Sequence, residues 1–315
     1  MRLVRVVFAR ARLTAMIDDV PATAPVLRFA PSPNGALHLG HAYSALMNER
    51  LAAQLGGRLI LRIEDLDRTR CKAQFEAAII ADLAWLGLRF PVPPRRQREH
   101  GDDYAAALAR LDERGLVYPC FCSRSEIVRA SNGRRDPEGA PLYPGTCRAL
   151  SSAEARDRLA RGDKAAFRLN MPRALDAAPA GLWWIEYREG AIPSQHPATP
   201  EAWGDVVLKG RDLAASYHLA VVVDDALQGV TDIARGRDLL AATAVHRLLQ
   251  ALLGLAAPRY RHHRLVLDES GAKLSKSRQS VSLDELRGTG LGPGEVRAAL
   301  GFGSGAGGAL SVEFG

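Results

Sequence analysis

Cysteine is scarce in this chain, which has four cysteines among 315 residues, at positions 71, 120, 122 and 147. So few cysteines, so unevenly placed, do not predict a disulfide framework, and a reducing cytoplasm is the expected location. The sequence also lacks an apolar run of the roughly 20 residues that span a bilayer. No signal-peptide pattern follows the basic start at Met1–Arg12. We therefore expect a cytoplasmic protein with no membrane partner.

A glycine pattern is missing as well. No G-x-G-x-x-G opens a helix after a strand, which argues against a dinucleotide oxidoreductase. Acidic residues are fewer than basic ones, 35 against 42, which gives a net charge of +7. This excess fits a polyanionic partner such as RNA, although the charges are dispersed, as in many chains that are merely basic. Hydrophobic residues make up 47%, enough for a full core in one large domain with a subdomain, or in two domains.

Short apolar strands alternate with helical periodicity in the first part of the chain. The predicted order is strand, helix, strand, helix, over Val26–Phe29, residues 42–55, Leu59–Ile63 and residues 75–86. This order predicts an α/β fold with a doubly wound parallel sheet. We expect the sheet to resume later, with strands at Asp205–Lys209 and His218–Val223.

Changes in composition predict the domain organisation. Pro-rich and Arg-rich sequence after Pro91 indicates an insertion between two halves of the sheet domain. The predicted parts are an N-terminal extension (1–24), a catalytic domain in two halves (25–95 and 200–280), an inserted subdomain (96–199), and a C-terminal helical segment and tail (281–315).

Two motifs predict a nucleotide site. His38 and His41 stand three residues apart where a loop enters a helix, and Gly40 lets a ligand approach the backbone. The N-terminal amides of a helix bind phosphate, and the imidazoles can donate hydrogen bonds to phosphate oxygens. Lys273 and Lys276 lie on a glycine-flanked segment that can close over a polyphosphate and stabilise the leaving pyrophosphate.

In this order, the strings His38-Leu-Gly-His41 and Lys273-Leu-Ser-Lys-Ser277 resemble the two signatures of class I aminoacyl-tRNA synthetases. The strings that begin at Arg28, Leu61 and Tyr217 resemble the glutamyl branch of that family over residues 26 to about 290. The resemblance implies a Rossmann-like catalytic domain that activates L-glutamate with ATP and Mg²⁺. It implies a catalytic set of His38, His41, Lys273 and Lys276, and an ATP-binding set of His38, Gly40, His41 and Lys276.

A dicarboxylic amino acid needs cations for its carboxylates and an anion for its ammonium group. Arg28, Arg235 and Glu64 supply these charges, and Tyr217 can add a hydroxyl. Which arginine holds which carboxylate stays open. The resemblance implies a glutamate site formed by Arg28, Phe29, Ala30, Pro31, Ser32, Glu64, Tyr217 and Arg235.

Cys120, Cys122 and Cys147 predict a zinc site, because three thiolates are suitable ligands for a tetrahedral ion. No histidine lies between Cys120 and Cys147. The family resemblance implies Tyr143 as the fourth ligand, and a structural role for one Zn²⁺ in an inserted subdomain that faces the RNA acceptor.

Only a short segment follows Ser277, so we expect no anticodon-binding domain. This architecture resembles a truncated group within the glutamyl branch, whose members transfer glutamate to queuosine in the anticodon wobble position of tRNA(Asp). That transfer by a monomer is the predicted function. Two alternatives stay open: a short synthetase that charges a tRNA 3′ end, and a non-catalytic paralogue that binds glutamate, ATP or RNA.

Overall fold

The computed structural model describes residues 24–188, 190–268, 271, 274, 280–303 and 312–315, so most of the predicted N-terminal extension lies outside the described residues. The α-helices are α1 (Leu39–Gln54), α2 (Ala73–Trp85), α3 (Gly101–Asp112), α4 (Arg124–Ala130), α5 (Ser152–Ala160), α6 (Met171–Ala177), α7 (Tyr217–Leu227), α8 (Thr243–Leu253), α9 (Leu283–Gly288) and α10 (Pro293–Ala299). The strands are β1 (Val26–Phe29), β2 (Arg58–Ile63), β3 (Arg95–Arg96), β4 (Val117–Cys120), β5 (Ala166–Leu169), β6 (Trp183–Glu186), β7 (Ser194–Pro197), β8 (Val207–Lys209), β9 (Asp232–Gly236), β10 (Arg259–His263), β11 (Val266–Leu267) and β12 (Glu313–Phe314).

Two groups of parallel strands meet side by side. In the first group β2 lies between β1 and β3, and in the second β10 lies between β9 and β6, with β7 added antiparallel to β6. The groups adjoin at β1 and β9, where the backbone N–H of Thr231 donates to the carbonyl oxygen of Val26 at 3.0 Å. The predicted α/β fold with a parallel sheet is confirmed.

The alternation of side chains along β1 and β2 gives the sheet two different faces. Leu27 and Phe29 belong to the apolar cluster that contains the buried face of α1. Arg28 and Arg62 point to the opposite face, where α7 presents Asp225. The strand register therefore separates an apolar face from a charged one.

Two predicted strands after residue 200 are wrong in type or place. The segment His218–Val223 lies in helix α7. Ser216 caps the N-terminus of this helix, because its hydroxyl oxygen accepts from the N–H of Leu219 at 3.4 Å. The strand predicted at Asp205–Lys209 exists as β8, but it pairs antiparallel with β5 in a separate sheet with β4.

These pairings cross the predicted boundary between residues 199 and 200. Strand β6 precedes that boundary and joins the parallel sheet, whereas β8 follows it and joins the sheet of the insertion. The domain limits from the sequence stay a prediction. Among the helices of the described ranges, none has the length and apolar character to cross a membrane.

Candidate functional site

A cavity of about 420 Å³ opens where β1, β2 and β9 end and α1 begins. In parallel α/β sheets this is the edge at which ligands bind. All of the predicted glutamate-binding residues line it, together with the described members of the predicted ATP site: Arg28, Phe29, Ala30, Pro31, Ser32, His38, Gly40, His41, Glu64, Tyr217 and Arg235. Side chains that are distant in sequence thus lie at one opening.

The two histidines of the first motif are fixed by the start of α1. His38 is the N-cap residue, and its Nδ1 accepts from the N–H of Gly40 at 3.1 Å. Nδ1 of His41 accepts from the N–H of His38 at 3.2 Å. Because both Nδ1 atoms accept, the ring hydrogen of each neutral imidazole is on Nε2. A Cβ at Gly40 would lie 3.0 Å from Cε1 of His38, so glycine lets this ring lie close to the helix.

Asp225 connects two buried arginines of the charged face. Its Oδ1 accepts from Nε of Arg28 at 3.1 Å and from a terminal nitrogen of Arg62 at 2.8 Å. The side chain of Arg62 has no exposed surface. Burial alone would raise the pKa of Asp225, but Arg28 and Arg62 hold it below the ordinary value. Asp225 is therefore an anion that orients two cations.

Asp224, the preceding residue on α7, accepts a second set of hydrogen bonds. Its carboxylate accepts from Nε of Arg95 at 2.7 Å, from the amide of Gln97 at 2.8 Å and from the hydroxyl of Tyr104 at 3.0 Å. Asp224 has no exposed surface. Three donors satisfy the hydrogen-bonding capacity of this buried carboxylate.

Glu64 follows β2 directly and borders the cavity. Its Oε1 lies 3.6 Å from a terminal nitrogen of Arg62, and its side chain is 13% exposed. Burial raises the pKa of Glu64 to about 7, although Arg62 and Arg28 act in the opposite direction. A cation arriving next to this carboxyl group would favour its charged form.

Arg235, at the end of β9, is buried on the opposite wall of the cavity. Its guanidinium donates to Nε2 of His262 at 3.1 Å, Nδ1 of His246 at 3.1 Å, the hydroxyl of Thr243 at 2.8 Å and, at 3.4 Å, the hydroxyl of Tyr217. These contacts fix the plane of the guanidinium.

The lysine motif lies largely outside the described residues, including Lys273 and Lys276. Leu274 is described; it lines the cavity, and its N–H donates to the carbonyl oxygen of Val266 at 3.1 Å. Farther along the chain, the N–H of Leu283 donates to the carbonyl oxygen of Leu37 at 2.8 Å. The chain on both sides of the motif is therefore attached close to the histidines.

The predicted zinc ligands converge in the insertion. The sulfurs of Cys120, Cys122 and Cys147 all lie within 4.8 Å of one another. The phenol oxygen of Tyr143 is 3.7 Å from Sγ of Cys122 and accepts from the N–H of Cys147 at 2.7 Å. Three thiols and one oxygen are a donor set that suits zinc. Cys71 lies elsewhere, with its sulfur 3.8 Å from the carbonyl oxygen of Glu64.

The sequence alone assigns no role to several residues of the site. Arg62 and His246 look like ordinary members of a strand and a helix in the sequence. The one usable signal is the acidic pair Asp224 and Asp225 directly after the apolar run Ala220–Val223, because buried acids need buried partners. His262 also looks like an ordinary strand residue in the sequence, and the structure places it on β10 in contact with Arg235.

The parallel sheet, the cavity at the strand ends and the histidines at a helix N-terminus define an α/β domain of the class I synthetase type. Residues 26–301 match the family of tRNA synthetases class I (E and Q), catalytic domain. The chain belongs to this family.

Similar proteins agree with this assignment. A relative from Rhodobacter capsulatus, named Glutamyl-Q tRNA(Asp) synthetase, is 43% identical over 88% of this chain and 100% of its own length. Glutamate--tRNA ligase 1 from Halorhodospira halophila is 40% identical over 82% of this chain and 54% of its own length. The crystal structure of a glutamate tRNA ligase from Elizabethkingia meningosepticum in complex with its amino acid is 25% identical, with a TM-score of 0.70, over 88% of this chain and 60% of that one.

Replacing Arg62 by Met tests the buried network. The change removes a cation beside Asp225 and Glu64 at similar side-chain length, and breaking a buried pair from one side costs about 3–5 kcal/mol. We expect the free energy of unfolding in urea to fall by about this amount. The control is Arg70→Met, whose side chain is 71% exposed and pairs with Asp67, and which should cost less than about 1 kcal/mol. Equal losses in both variants would contradict the assigned role of Arg62.

Proposed function

We propose that this chain activates L-glutamate with ATP and transfers the glutamyl group to queuosine in the anticodon wobble position of tRNA(Asp). The observation that supports activation is the convergence of two buried arginines, one glutamate and one tyrosine on a cavity that also contains the histidines of a helix N-terminus. These groups match the charges of a dicarboxylic amino acid beside a phosphate-binding edge.

In the proposed complex, Arg28 and Arg235 bind the two carboxylates of glutamate. Glu64 accepts hydrogen bonds from the ammonium group of the substrate, and the hydroxyl of Tyr217 adds a further contact. The strand ends and buried contacts fix these side chains before substrate arrives, so little ordering remains for the binding step. The backbone from Phe29 to Ser32 forms the adjoining wall.

ATP would lie against the start of α1. The glutamate α-carboxylate oxygen attacks the α-phosphorus, the bond to the β-phosphate oxygen breaks, and pyrophosphate leaves with the electron pair. The Nε2–H groups of His38 and His41, together with Lys273 and Lys276, stabilise the charge that develops, and Gly40 leaves room for the nucleotide. Mg²⁺ bound with ATP supplies further neutralisation of the phosphates.

In the second step, a hydroxyl of the acceptor attacks the glutamyl carbonyl carbon and AMP leaves. Queuosine is proposed as the acceptor because the similarity to the Rhodobacter capsulatus protein, named for that substrate, extends over its entire length. The 40% identity to a glutamate--tRNA ligase supports one further candidate, the charging of a tRNA 3′ end.

Transfer of radiolabelled glutamate tests the acceptor. With ATP and Mg²⁺, we expect label on tRNA(Asp) that contains queuosine, and none on tRNA(Asp) lacking queuosine or on tRNA(Glu). ATP–pyrophosphate exchange without tRNA measures activation separately. Label on tRNA(Glu) would restore the 3′-charging candidate, and no exchange at all would favour a binding protein without catalysis.

Glutamate binding should depend on pH through Glu64. The substrate ammonium requires the carboxylate form of Glu64, and the pKa of about 7 means that this form declines as the pH falls through neutrality. Kd for glutamate should therefore rise about tenfold between pH 8 and pH 6. Calorimetric titration without ATP measures this change. Glu64→Gln should bind weakly with no such dependence, whereas a flat profile in the unaltered protein would refute the role of Glu64.

We also propose that Cys120, Cys122, Cys147 and Tyr143 hold one structural Zn²⁺. The support is the convergence of three sulfurs and one phenol oxygen in a partly apolar cluster. Bound zinc would join β4 to the turn that contains Cys147, because its ligands come from both segments. It would stabilise the insertion without taking part in the transfer reaction.

Metal analysis of the purified protein tests the zinc site. We expect one zinc per chain and its loss in Cys122→Ser, with a lower thermal midpoint because the cross-link is absent. The matched control is Cys71→Ser, which changes the remaining cysteine and should keep the metal. Full zinc content in Cys122→Ser would exclude this ligand set.

A further inference from the structure

Arg235 differs from the buried arginines Arg28 and Arg62 in the charge of its contacts. The acceptors around its guanidinium are two imidazoles and two hydroxyls. Within the described part of the chain, no carboxylate forms an ion pair with Arg235. Arg28, by contrast, pairs with Asp225, and so does Arg62. Arg235 is thus oriented by dipoles rather than by an anion.

The hydrogen-bond directions show that these imidazoles are neutral. Arginine only donates, so Nδ1 of His246 must accept, and its hydrogen is on Nε2, which donates to Nδ1 of His218 at 3.2 Å. Burial, with the charge of Arg235, lowers the pKa of His246 well below its ordinary value and that of His218 to about 4. Both rings therefore remain uncharged at neutral pH.

His262 lies between Arg235 and the carboxylate of Glu186. Its Nε2 accepts from Arg235, so its Nδ1–H donates to Oε2 of Glu186 at 2.8 Å. Burial alone would raise the pKa of Glu186, but the hydrogen bonds from His262 hold it below its ordinary value. Glu186 is therefore an anion that contacts the imidazole and not the guanidinium.

A buried guanidinium without an adjacent anion is costly, and the cost falls when a ligand anion enters. We propose that His246 is a specificity-determining positioning residue: it orients Arg235 without neutralising it, so that the site requires a carboxylate and rejects the corresponding carboxamide. This inference rests on the proposed function, because it assumes that the ligand of Arg235 is the side-chain carboxylate of glutamate, the group that glutamine lacks.

The consequence concerns glutamine, which has the shape of glutamate and lacks one negative charge. A neutral amide leaves Arg235 uncompensated, so glutamine is discriminated against by charge. A carboxylate at position 246 would form an ion pair with Arg235 inside the protein. The substrate carboxylate would then meet a cation that is already neutralised, and the advantage of glutamate over glutamine would decline.

The variants His246→Asn and His246→Asp test this because their side chains have nearly the same shape and differ in charge. In both, a side-chain oxygen can take the place of Nδ1 and accept from Arg235. ATP–pyrophosphate exchange with glutamate and with glutamine gives kcat/KM for each substrate. We expect His246→Asn to keep the preference for glutamate within about tenfold of the unaltered protein. His246→Asp should lower that preference at least a hundredfold, mainly through a higher KM for glutamate.

Thermal unfolding and ATP binding of both variants check that they fold. A merely structural role of His246 would affect Asn and Asp variants alike, so equal preference for glutamate in the two, between pH 6.5 and 8.5, would overturn the inference. If either variant fails to fold, His246→Gln and His246→Glu are compared by the same criterion. Absence of glutamate-dependent exchange in the unaltered protein would instead refute the proposed function, which keeps the two failures distinguishable.

Discussion

The ion pairs of Arg62 join the charged face of the sheet to helix α7. The guanidinium of Arg62 has no exposed surface, and its charge is balanced by Asp225 at 2.8 Å and Asp224 at 3.9 Å on α7, with Glu64 at 3.6 Å. A shift of β2 by one residue would turn Arg62 toward the apolar cluster under α1 and away from Asp225 and Asp224. The pairing therefore fixes the register of β2 against the helix that covers it.

The same register determines where the ligand groups lie. Arg28 is opposite Ile60 in the pairing of β1 with β2, so Arg28, Arg62 and Glu64 share one face of the sheet. Ile233 packs with Val26 on that face, and Arg235 follows it two residues later on β9. The charges around the cavity thus follow from one rule, the alternation of side chains along parallel strands, together with the helices that supply counter-charges.

The sequence predicted the first half of the fold and the composition of the cavity well. Strand β1, helix α1 and strand β2 are local patterns, with Gly56 and Gly57 after the helix, and parallel strands bring Arg28, Glu64 and Arg235 to one edge irrespective of the intervening chain. The helix α7 was mistaken for a strand because Ala220–Val223 is rich in β-branched residues, whose preference is weaker than tertiary packing. The roles of Arg62 and His246 were not predicted, because each depends on a side-chain contact with a residue distant in sequence, Asp225 for Arg62 and Arg235 for His246.

The charge balance of the cavity explains why its two sides are built differently. Arg28 shares the anion Asp225 with Arg62, so it offers a ligand directed hydrogen bonds and only part of a positive charge. Arg235 is held by neutral acceptors and retains its charge. Glu64 has a pKa of about 7, so its carboxyl group becomes fully ionised only when a cation binds beside it. An amino acid with one ammonium and two carboxylates supplies a partner for each of these groups, and any ligand that lacks one of them leaves a buried charge uncompensated.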